Sequence, residues 1–196
     1  MISPNFSINN SNIPGANSIF DAILKIGKQK IIQKGQVIIK KGSHSYFFFY
    51  VKSGIFKSVA MVNDKAYILG FTFADDIHCC PTSLLKELPN NFNIQAVTDS
   101  EVLICELKDF EKFSNKEDYD RVIKYLLVQN LSFVERRLVD AISLNAEQAY
   151  RLMLLKQPDK IKQLPLSYVA SYLGISLERL SRIRKKIRFD IDQILQ

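Results

Sequence analysis

Four polar side chains in the C-terminal region recur at intervals of three and four residues. They are Glu178, Ser181, Arg182 and Lys185. Positions i, i+3, i+4 and i+7 share one face of an α-helix. Arginine can donate two hydrogen bonds to guanine, glutamate can accept one from cytosine, and serine can contact a base edge or a phosphate. We therefore predict that Glu178, Ser181 and Arg182 contact DNA bases.

Other basic residues border this face, where the phosphates of a bound duplex would lie. The predicted phosphate contacts are Arg179, Arg184, Lys185, Lys186 and Arg188. The simpler interpretation is a charged helix face that only meets water. The residues just before it favour the DNA interpretation, because they predict a second helix and a tight turn.

The segment 166–188 has the pattern of a helix-turn-helix. Two short helical patterns meet at Gly174-Ile175-Ser176, which leaves room only for a tight turn. Glycine permits the positive φ that ends a helix, and serine is a favoured N-cap of the next one. Small Ala170 would let the two helices approach each other closely. The apolar positions expected to lock the pair are Val169, Leu173, Ile175, Leu180 and Ile183.

The charge of the chain is concentrated in the same region. The net charge is +7, and residues 143–196 carry ten basic against five acidic side chains, which leaves only +2 for the rest. None of the eight arginines precedes Arg121. Arginine is the better bidentate ligand of phosphates and bases. A basic region confined to one end favours a polyanionic partner, here double-stranded DNA.

Residues 29–107 predict a different structure, a set of antiparallel strands. Seven short runs rich in β-branched and aromatic residues are separated by turn signals such as Lys34-Gly35 and Asn63-Asp64. A spacing of about 8–12 residues favours a sandwich or barrel. We expect short helices over 19–26 and 81–88. Residues 1–18, rich in Asn, Ser, Pro and Gly, are expected to form a disordered arm.

A long helix is predicted over residues 116–142, a stretch without Gly or Pro. Apolar residues recur along it every three or four positions, which is typical of an amphipathic helix. The predicted dimer contacts in this stripe are Ile123, Leu127, Leu131, Val134 and Leu138. The stripe is wider than one flank of a small barrel can cover. We therefore favour a parallel homodimer over a helix packed only within its own chain.

A break at residues 143–145 separates this helix from the C-terminal region. Asn145 is a suitable N-cap for a helix over 146–156, and Gln148 stands where a capping box requires it. The sequence thus predicts four parts. They are the arm (1–18), a strand-rich sensor-like domain (19–115), a dimerisation helix (116–142) and a helix-turn-helix domain (143–196).

Together these features resemble the Crp/Fnr family of bacterial transcription regulators. The strongest match is ERLSR at residues 178–182, which follows the family's E-x-x-S-R signature. Gly35, Gly42 and Gly54, each at a turn between short strands, match the glycine ladder of its cyclic-nucleotide-binding-type β-roll. The resemblance implies an α+β fold with an antiparallel β-roll, a dimerisation helix and a C-terminal winged helix-turn-helix. The strands of a wing are not evident in residues 155–166, so the wing is expected to be reduced.

The resemblance also implies a homodimer on DNA, RNA polymerase as a candidate partner and a small-molecule effector. Family members that bind cyclic nucleotides use a Gly-Glu pair and a later Arg-Ser/Thr pair. Here these pocket-equivalent positions are Cys79, Cys80, Asn90 and Asn91. A cyclic phosphate would lose its charge-assisted guanidinium partner. We therefore expect no cAMP binding of the usual kind, no other cofactor, and an effector whose identity the sequence leaves open.

A metal or redox sensor is the alternative role for the histidines and cysteines. The candidates are His44, His78, Cys79, Cys80 and Cys105. Adjacent strand residues point to opposite faces, and no C-x-x-C spacing is present, so we expect ordinary thiols and no metal. Three cysteines make a disulfide framework improbable and favour a reducing cytoplasm. No nucleophile elbow, phosphate loop or paired carboxylate indicates an enzyme.

The competing hypothesis for function is a small-molecule (cyclic-nucleotide-like) binding module whose basic C-terminal region contacts a protein or a membrane. A membrane-surface helix would carry bulky apolar residues opposite its basic face, without a preceding helix and glycine turn. The sequence has that preceding helix and turn. It has no apolar run of the ~20 residues that a membrane span needs, and no secretory signal pattern. The DNA-binding interpretation is therefore favoured.

Overall fold

The computed structural model describes residues 23–85 and 88–194, with side chains described as far as Arg188. Its first part is a roll of eight strands. They are β1 Lys28–Ile32, β2 Val37–Ile39, β3 Phe47–Ser53, β4 Ile55–Val62, β5 Lys65–Phe73, β6 Ile77–His78, β7 Asn93–Ala96 and β8 Ser100–Glu106. The predicted arm and residues 19–22 lie outside the described residues.

The strands form two four-stranded antiparallel sheets. One sheet has the order β1-β8-β3-β6 and the other β2-β7-β4-β5. The chain crosses between the sheets at Gly54, whose φ of +99° and close approach to Ser100 leave no space for a side chain. The prediction of an antiparallel sandwich or barrel is confirmed. The two-residue strand β6 is an addition, because it is too short to show a pattern in the sequence.

Apolar side chains from both sheets fill the interior of the roll. Phe49 and Phe56 meet edge to face with ring centroids 5.4 Å apart. The buried residues packed with them are Ile32, Ile39, Val51, Cys80, Ile94, Ala96 and Val102. Successive side chains of β3 point to opposite faces of the sheet, so Phe49 and Val51 enter this core while Phe48 and Tyr50 enter a second core on the other face.

Helices dominate the remainder of the chain. They are α1 Pro81–Leu84, α2 Leu107–Phe113, α3 Lys116–Ser143, α4 Ala146–Lys156, α5 Pro158–Lys162, α6 Leu166–Leu173 and α7 Leu177–Ile194. Residues 23–26 are also helical. The short helix expected over 81–88 ends earlier, at Leu84, because the chain leaves the helical conformation around Leu85.

The expected helices α3, α4, α6 and α7 are present, while α2 and α5 were not foreseen. Residues 107–194, all of which the structure describes, contain no strand, so the strands of a wing are absent from this part of the chain. Pro158 occupies the first turn of α5, a position that suits proline because its missing N–H has no partner there anyway. Among the described residues, no helix is long and apolar enough to cross a membrane.

The first half of α3 packs against the roll. Asn115 caps the helix by accepting a hydrogen bond from the Asp118 N–H at 2.8 Å. Val122 and Leu126 are buried in a core that also contains Phe48 of β3 and Phe110 of α2. This contact fixes the direction in which α3 leaves the roll.

The roll and the C-terminal helices share one hydrophobic core. Strands β4 and β5 contribute Ile55, Ile68 and Phe71, while the helices contribute residues such as Met153 and Leu180. The rings of Phe71 and Tyr172 lie 5.8 Å apart across this junction. The helix-turn-helix therefore rests on the outer face of one sheet of the roll.

Candidate nucleic-acid interface

The turn between α6 and α7 has the geometry that its residues predict. Gly174 ends α6 with a φ of +68°, in the left-handed region. The Ile175 N–H donates to the Ala170 carbonyl at 3.0 Å, which closes the end of the helix. The Ser176 hydroxyl then accepts from the Arg179 N–H at 3.2 Å and caps α7. Three successive residues thus end one helix and begin the next.

One side of α7 is anchored in the shared core. Leu180, Ile183 and Ile187 are buried against α6 and its neighbours. Val169 and Ala170 of α6 are buried as well, and Leu173 and Ile175 pack on the same core in part. These contacts lock the helix pair and leave the opposite side of α7 free.

The opposite side of α7 carries the three predicted base-reading residues and one predicted phosphate contact, and all four are exposed. They are Glu178, Ser181, Arg182 and Lys185. The pKa of the Glu178 carboxyl is lowered, first by its own backbone N–H and then by the Ser176 hydroxyl, with a smaller effect of Arg182. The carboxylate is therefore a hydrogen-bond acceptor at neutral pH, as recognition of cytosine requires.

The flanking basic residues are exposed, but one of them is already paired. Arg179, Arg184 and Arg188 reach solvent around the same face. Lys186 Nζ lies 3.0 Å from Glu147 Oε2 of α4, and this ion pair joins α7 to α4. The sequence did not indicate this pairing. In the free protein Lys186 is held by a carboxylate rather than presented to a phosphate.

Helix α4 is itself fixed by the predicted capping box. The Asn145 side chain accepts from the Gln148 N–H at 3.0 Å, and the Gln148 side chain accepts from the Asn145 N–H at 3.0 Å. Tyr150 and Met153 bury the other side of α4 in the shared core. Glu147 therefore approaches Lys186 from a rigid support.

The second half of α3 presents an apolar face to solvent. The exposed fractions of Leu131, Leu138 and Ile142 are 59%, 59% and 78%. Leu127 and Val134 of the predicted stripe are exposed too, whereas Ile123 packs partly on the core beneath α3. The stripe is broader than the sequence indicated, because two more residues are exposed, Val128 and Val139.

The pocket-equivalent positions of the roll make internal contacts. Cys79 and Cys80 follow β6, and their side chains lie in different cores on opposite sides of the chain. The buried Asn90 side chain donates to the Ser43 carbonyl at 2.7 Å and accepts from the Ser45 hydroxyl at 3.3 Å. Asn91 is exposed. Cys80 and Asn90 thus both contact Ser45, whereas Cys79 lies in the other core and Asn91 points to solvent, so the four positions do not form one site.

The three thiols and one of the two histidines are buried. Burial raises the pKa of the Cys79 thiol, and it raises that of Cys80 to about 12 and that of Cys105 to about 12. Such thiols are unreactive at neutral pH. Buried His78 bonds to the Thr72 hydroxyl at 3.1 Å, while His44 is exposed. Within residues 23–85 and 88–194, no group of three or more His, Cys, Asp or Glu is arranged to hold a metal.

Comparisons with known proteins agree with this architecture. Residues 29–117 match the family of cyclic nucleotide-binding domains. FixK2 from Bradyrhizobium japonicum superposes with a TM-score of 0.72 at 16% identity, over 84% of this chain and 86% of that one. The regulator CLP of Xanthomonas campestris, described as c-di-GMP responsive, superposes with a TM-score of 0.67 at 15% identity, over 89% of this chain and 92% of that one. No curated protein shows significant similarity to the sequence.

A third solved structure extends the agreement. A transcriptional regulator of the CRP family from Thermus thermophilus gives a TM-score of 0.62 at 16% identity, over 82% of this chain and 85% of that one. Fold and site together define a β-roll protein with a C-terminal helix-turn-helix. The chain contains a cyclic nucleotide-binding-type domain and has the Crp/Fnr fold, as the resemblance of its sequence predicted.

Proposed function

We propose that the protein is a homodimeric, sequence-specific DNA-binding regulator of transcription. The observation that carries this proposal is helix α7, which buries Leu180, Ile183 and Ile187 and exposes Glu178 and Arg182 on its other side. A helix held in this way after a tight turn can enter the major groove. Glu178, Ser181 and Arg182 read bases in it, and the surrounding basic side chains bind phosphates.

The dimer forms through the exposed apolar face of α3. Leu127, Leu131, Val134 and Leu138 leave an apolar surface in water along several turns of this helix. A second copy of α3, packed in parallel, would cover it. Because each α3 is fixed to its own roll through Val122 and Leu126, the two recognition helices take symmetric positions.

The roll serves this regulator without binding cAMP in the family's usual manner. Its interior is packed around Phe49 and Phe56, and no arginine precedes Arg121 to neutralise a cyclic phosphate. Asn90 is already bonded to Ser43 and Ser45. The regulator acts in the cytoplasm, with RNA polymerase as its partner at the promoter and an effector of unidentified chemistry.

Selection of DNA from a random duplex library tests the proposal. The full chain should enrich a two-fold-symmetric sequence whose half-sites lie about one helical turn, ~34 Å, apart. A variant with Glu178, Ser181 and Arg182 all replaced by alanine should enrich no motif, while its fold, followed by circular dichroism, should persist because these residues are exposed. Failure of the wild-type chain to enrich any motif would contradict the proposal.

A further inference from the structure

An ion pair crosses the junction between the roll and the C-terminal helices. Lys160 Nζ of α5 lies 3.4 Å from Asp76 Oδ1, in the turn that follows β5. Asp76 is fully buried, with an exposed fraction of 0%, and 28% of the Lys160 side chain is exposed. A carboxylate withdrawn from water in this way needs charged and hydrogen-bonding partners, so the lysine is held firmly at this position.

The turn around Asp76 is itself rigid. The second carboxylate oxygen of Asp76 accepts from the Phe73 N–H at 2.8 Å, and the Asp76 carbonyl accepts from the Val51 N–H at 2.9 Å. Lys160 Nζ also lies 5.0 Å from the centroid of the Phe73 ring, within the range of a cation–π contact. The lysine therefore contacts a fixed part of the roll rather than a flexible loop.

Two further contacts join the same surfaces. The Ser171 hydroxyl of α6 accepts from the Ile68 N–H at 3.3 Å and lies 3.3 Å from the Ala66 carbonyl, so it occupies the outer edge of β5. Lys57 Nζ of β4 lies 3.9 Å from the centroid of the Tyr168 ring. Together with the Asp76–Lys160 ion pair, these hydrogen-bonding and cation–π contacts lie around the shared apolar core and have a defined geometry.

Apolar burial holds the two parts together, but it does so without a preferred orientation. Directional bonds are what fix the angle of the helix-turn-helix against the roll. In a dimer built through α3, that angle sets the separation of the two recognition helices. One path runs from α7 through the shared core to α5, across Lys160–Asp76 to the roll, and from the roll to α3. A second path joins α3 to α6 directly, where Arg137 donates to the Tyr172 carbonyl at 2.6 Å.

We infer that Lys160 and Asp76 are a positioning pair that sets the half-site spacing the dimer accepts, although neither residue lies on the DNA-reading face. The inference rests on the proposed function, since spacing has a meaning only for a DNA-binding dimer. The pair acts through the orientation of α6 and α7 and leaves the chemistry of base recognition unchanged.

Binding to duplexes of different half-site spacing tests this inference. The selected half-sites are placed at the preferred spacing, at spacings one and two base pairs longer or shorter, and singly. In Lys160→Met, preference for the optimal spacing over the others should fall by about 2- to 30-fold, the range typical of residues that couple distant sites. Affinity for the single half-site should stay the same. A pair with only a stabilising role would lower binding to every duplex alike.

Two controls accompany this variant. Lys160→Arg keeps the charge and should keep the preference for the optimal spacing. Lys162→Met removes an exposed lysine from the same helix, one that pairs with Asp159 at 3.4 Å, and should change nothing. If Lys160→Met fails to fold, Lys160→Met/Asp76→Asn replaces it, because it leaves no uncompensated buried charge. This double variant should show the same loss of preference.

A second measurement needs no DNA. Hydrogen exchange of residues 65–73, which include the Ile68 N–H bonded to Ser171, should be faster in Lys160→Met than in the wild type and in Lys162→Met. An unchanged spacing preference, or equal weakening on all duplexes, overturns the inference. If the wild type binds no DNA, the proposed function fails. In that case the hydrogen-exchange experiment alone tests whether Lys160 positions the helix-turn-helix. Equal exchange rates of residues 65–73 in Lys160→Met and the wild type would overturn the positioning role.

Discussion

Lys186 of the recognition helix and Glu147 of α4 form an ion pair, with 3.0 Å between Nζ and Oε2. The pKa of the Glu147 carboxyl is lowered by hydrogen bonds from Lys186 and Arg151, so the carboxylate stays charged at neutral pH. It therefore places a negative charge beside the basic side chains that border the recognition face. Lys186 must leave this partner, or share it, when it meets a phosphate.

Replacing Glu147 by glutamine should strengthen DNA binding. The change removes a negative charge and frees Lys186, so affinity should rise by a similar factor for specific and random duplexes. The slope of log affinity against log salt should steepen by about one phosphate contact. Fluorescence anisotropy at several salt concentrations measures both. The control is Asp159→Asn, which removes the carboxylate from the exposed ion pair with Lys162 on α5 and should leave affinity unchanged. Equal affinities of Glu147→Gln and the wild type for DNA would contradict the prediction for Glu147.

Charges placed on the apolar face of α3 should prevent dimer formation. In Leu127→Lys/Leu131→Lys, both lysines would be buried at the interface between two helices, where an unpaired charge is costly. Sedimentation equilibrium should then give the mass of one chain. Leu155→Lys is the control, since Leu155 has an exposed fraction of 80% but lies on α4. A dimer mass for the double variant would show that α3 does not form the interface.

Acid should destabilise the fold through His78. Burial lowers the pKa of this imidazole to about 4, whereas in the unfolded chain it is about 6.5. The unfolded state therefore binds the proton first as the pH falls. The stability that rests on uncharged His78 is fully present above pH 6.5. As the pH falls towards 4, the free energy of unfolding decreases by up to about 3 kcal/mol on this account.

Urea denaturation at a series of pH values measures this effect. His78→Gln should flatten the fall in the free energy of unfolding between about pH 6.5 and 4. His44→Gln removes the exposed histidine and should leave the curve as in the wild type. Parallel curves for wild type and His78→Gln would show that His78 takes no part in the acid sensitivity.

Cyclic nucleotides should not bind the roll in the family's usual manner. Titration calorimetry with cAMP and with cGMP should give no heat of binding at micromolar concentrations, since a cyclic phosphate would meet no guanidinium there. The interior around Phe49 and Phe56 is packed with apolar side chains, so a ligand would also have to displace them. Micromolar affinity would contradict this expectation and indicate a lysine or backbone substitute for the arginine.

The sequence indicates the elements whose signal is local. The strands of the roll are runs of β-branched and aromatic residues between turn signals, and the capping box of Asn145 and Gln148 lies within four residues. The turn at Gly174 and Ser176 is equally local. Helix α5 has only five residues, too few to show a hydrophobic period, and its Pro158 is typical of a chain break as well as of the first turn of a helix.

Contacts between distant parts of the chain could not be foreseen in the same way. Asp76 and Lys160 stand 84 positions apart, and Glu147 and Lys186 stand 39 apart. Many other acidic and basic residues could have formed these pairs. Which of them meet depends on how the helix-turn-helix docks on strands β4 and β5, a contact between segments that lie far apart in the sequence.

The most direct test of the account compares Arg182→Ala with Arg184→Ala on a selected site and on random duplex. The resemblance to E-x-x-S-R regulators implies a G-A step in each half-site, and Glu178 and Arg182 should read neighbouring G·C or C·G pairs. Arg182→Ala should weaken specific binding by about 1–3 kcal/mol, relax the preference at one position and leave random DNA almost unaffected. Arg184→Ala should weaken both duplexes alike and reduce the salt slope by about one. Equal weakening of both duplexes by Arg182→Ala would contradict the claim that α7 reads the bases.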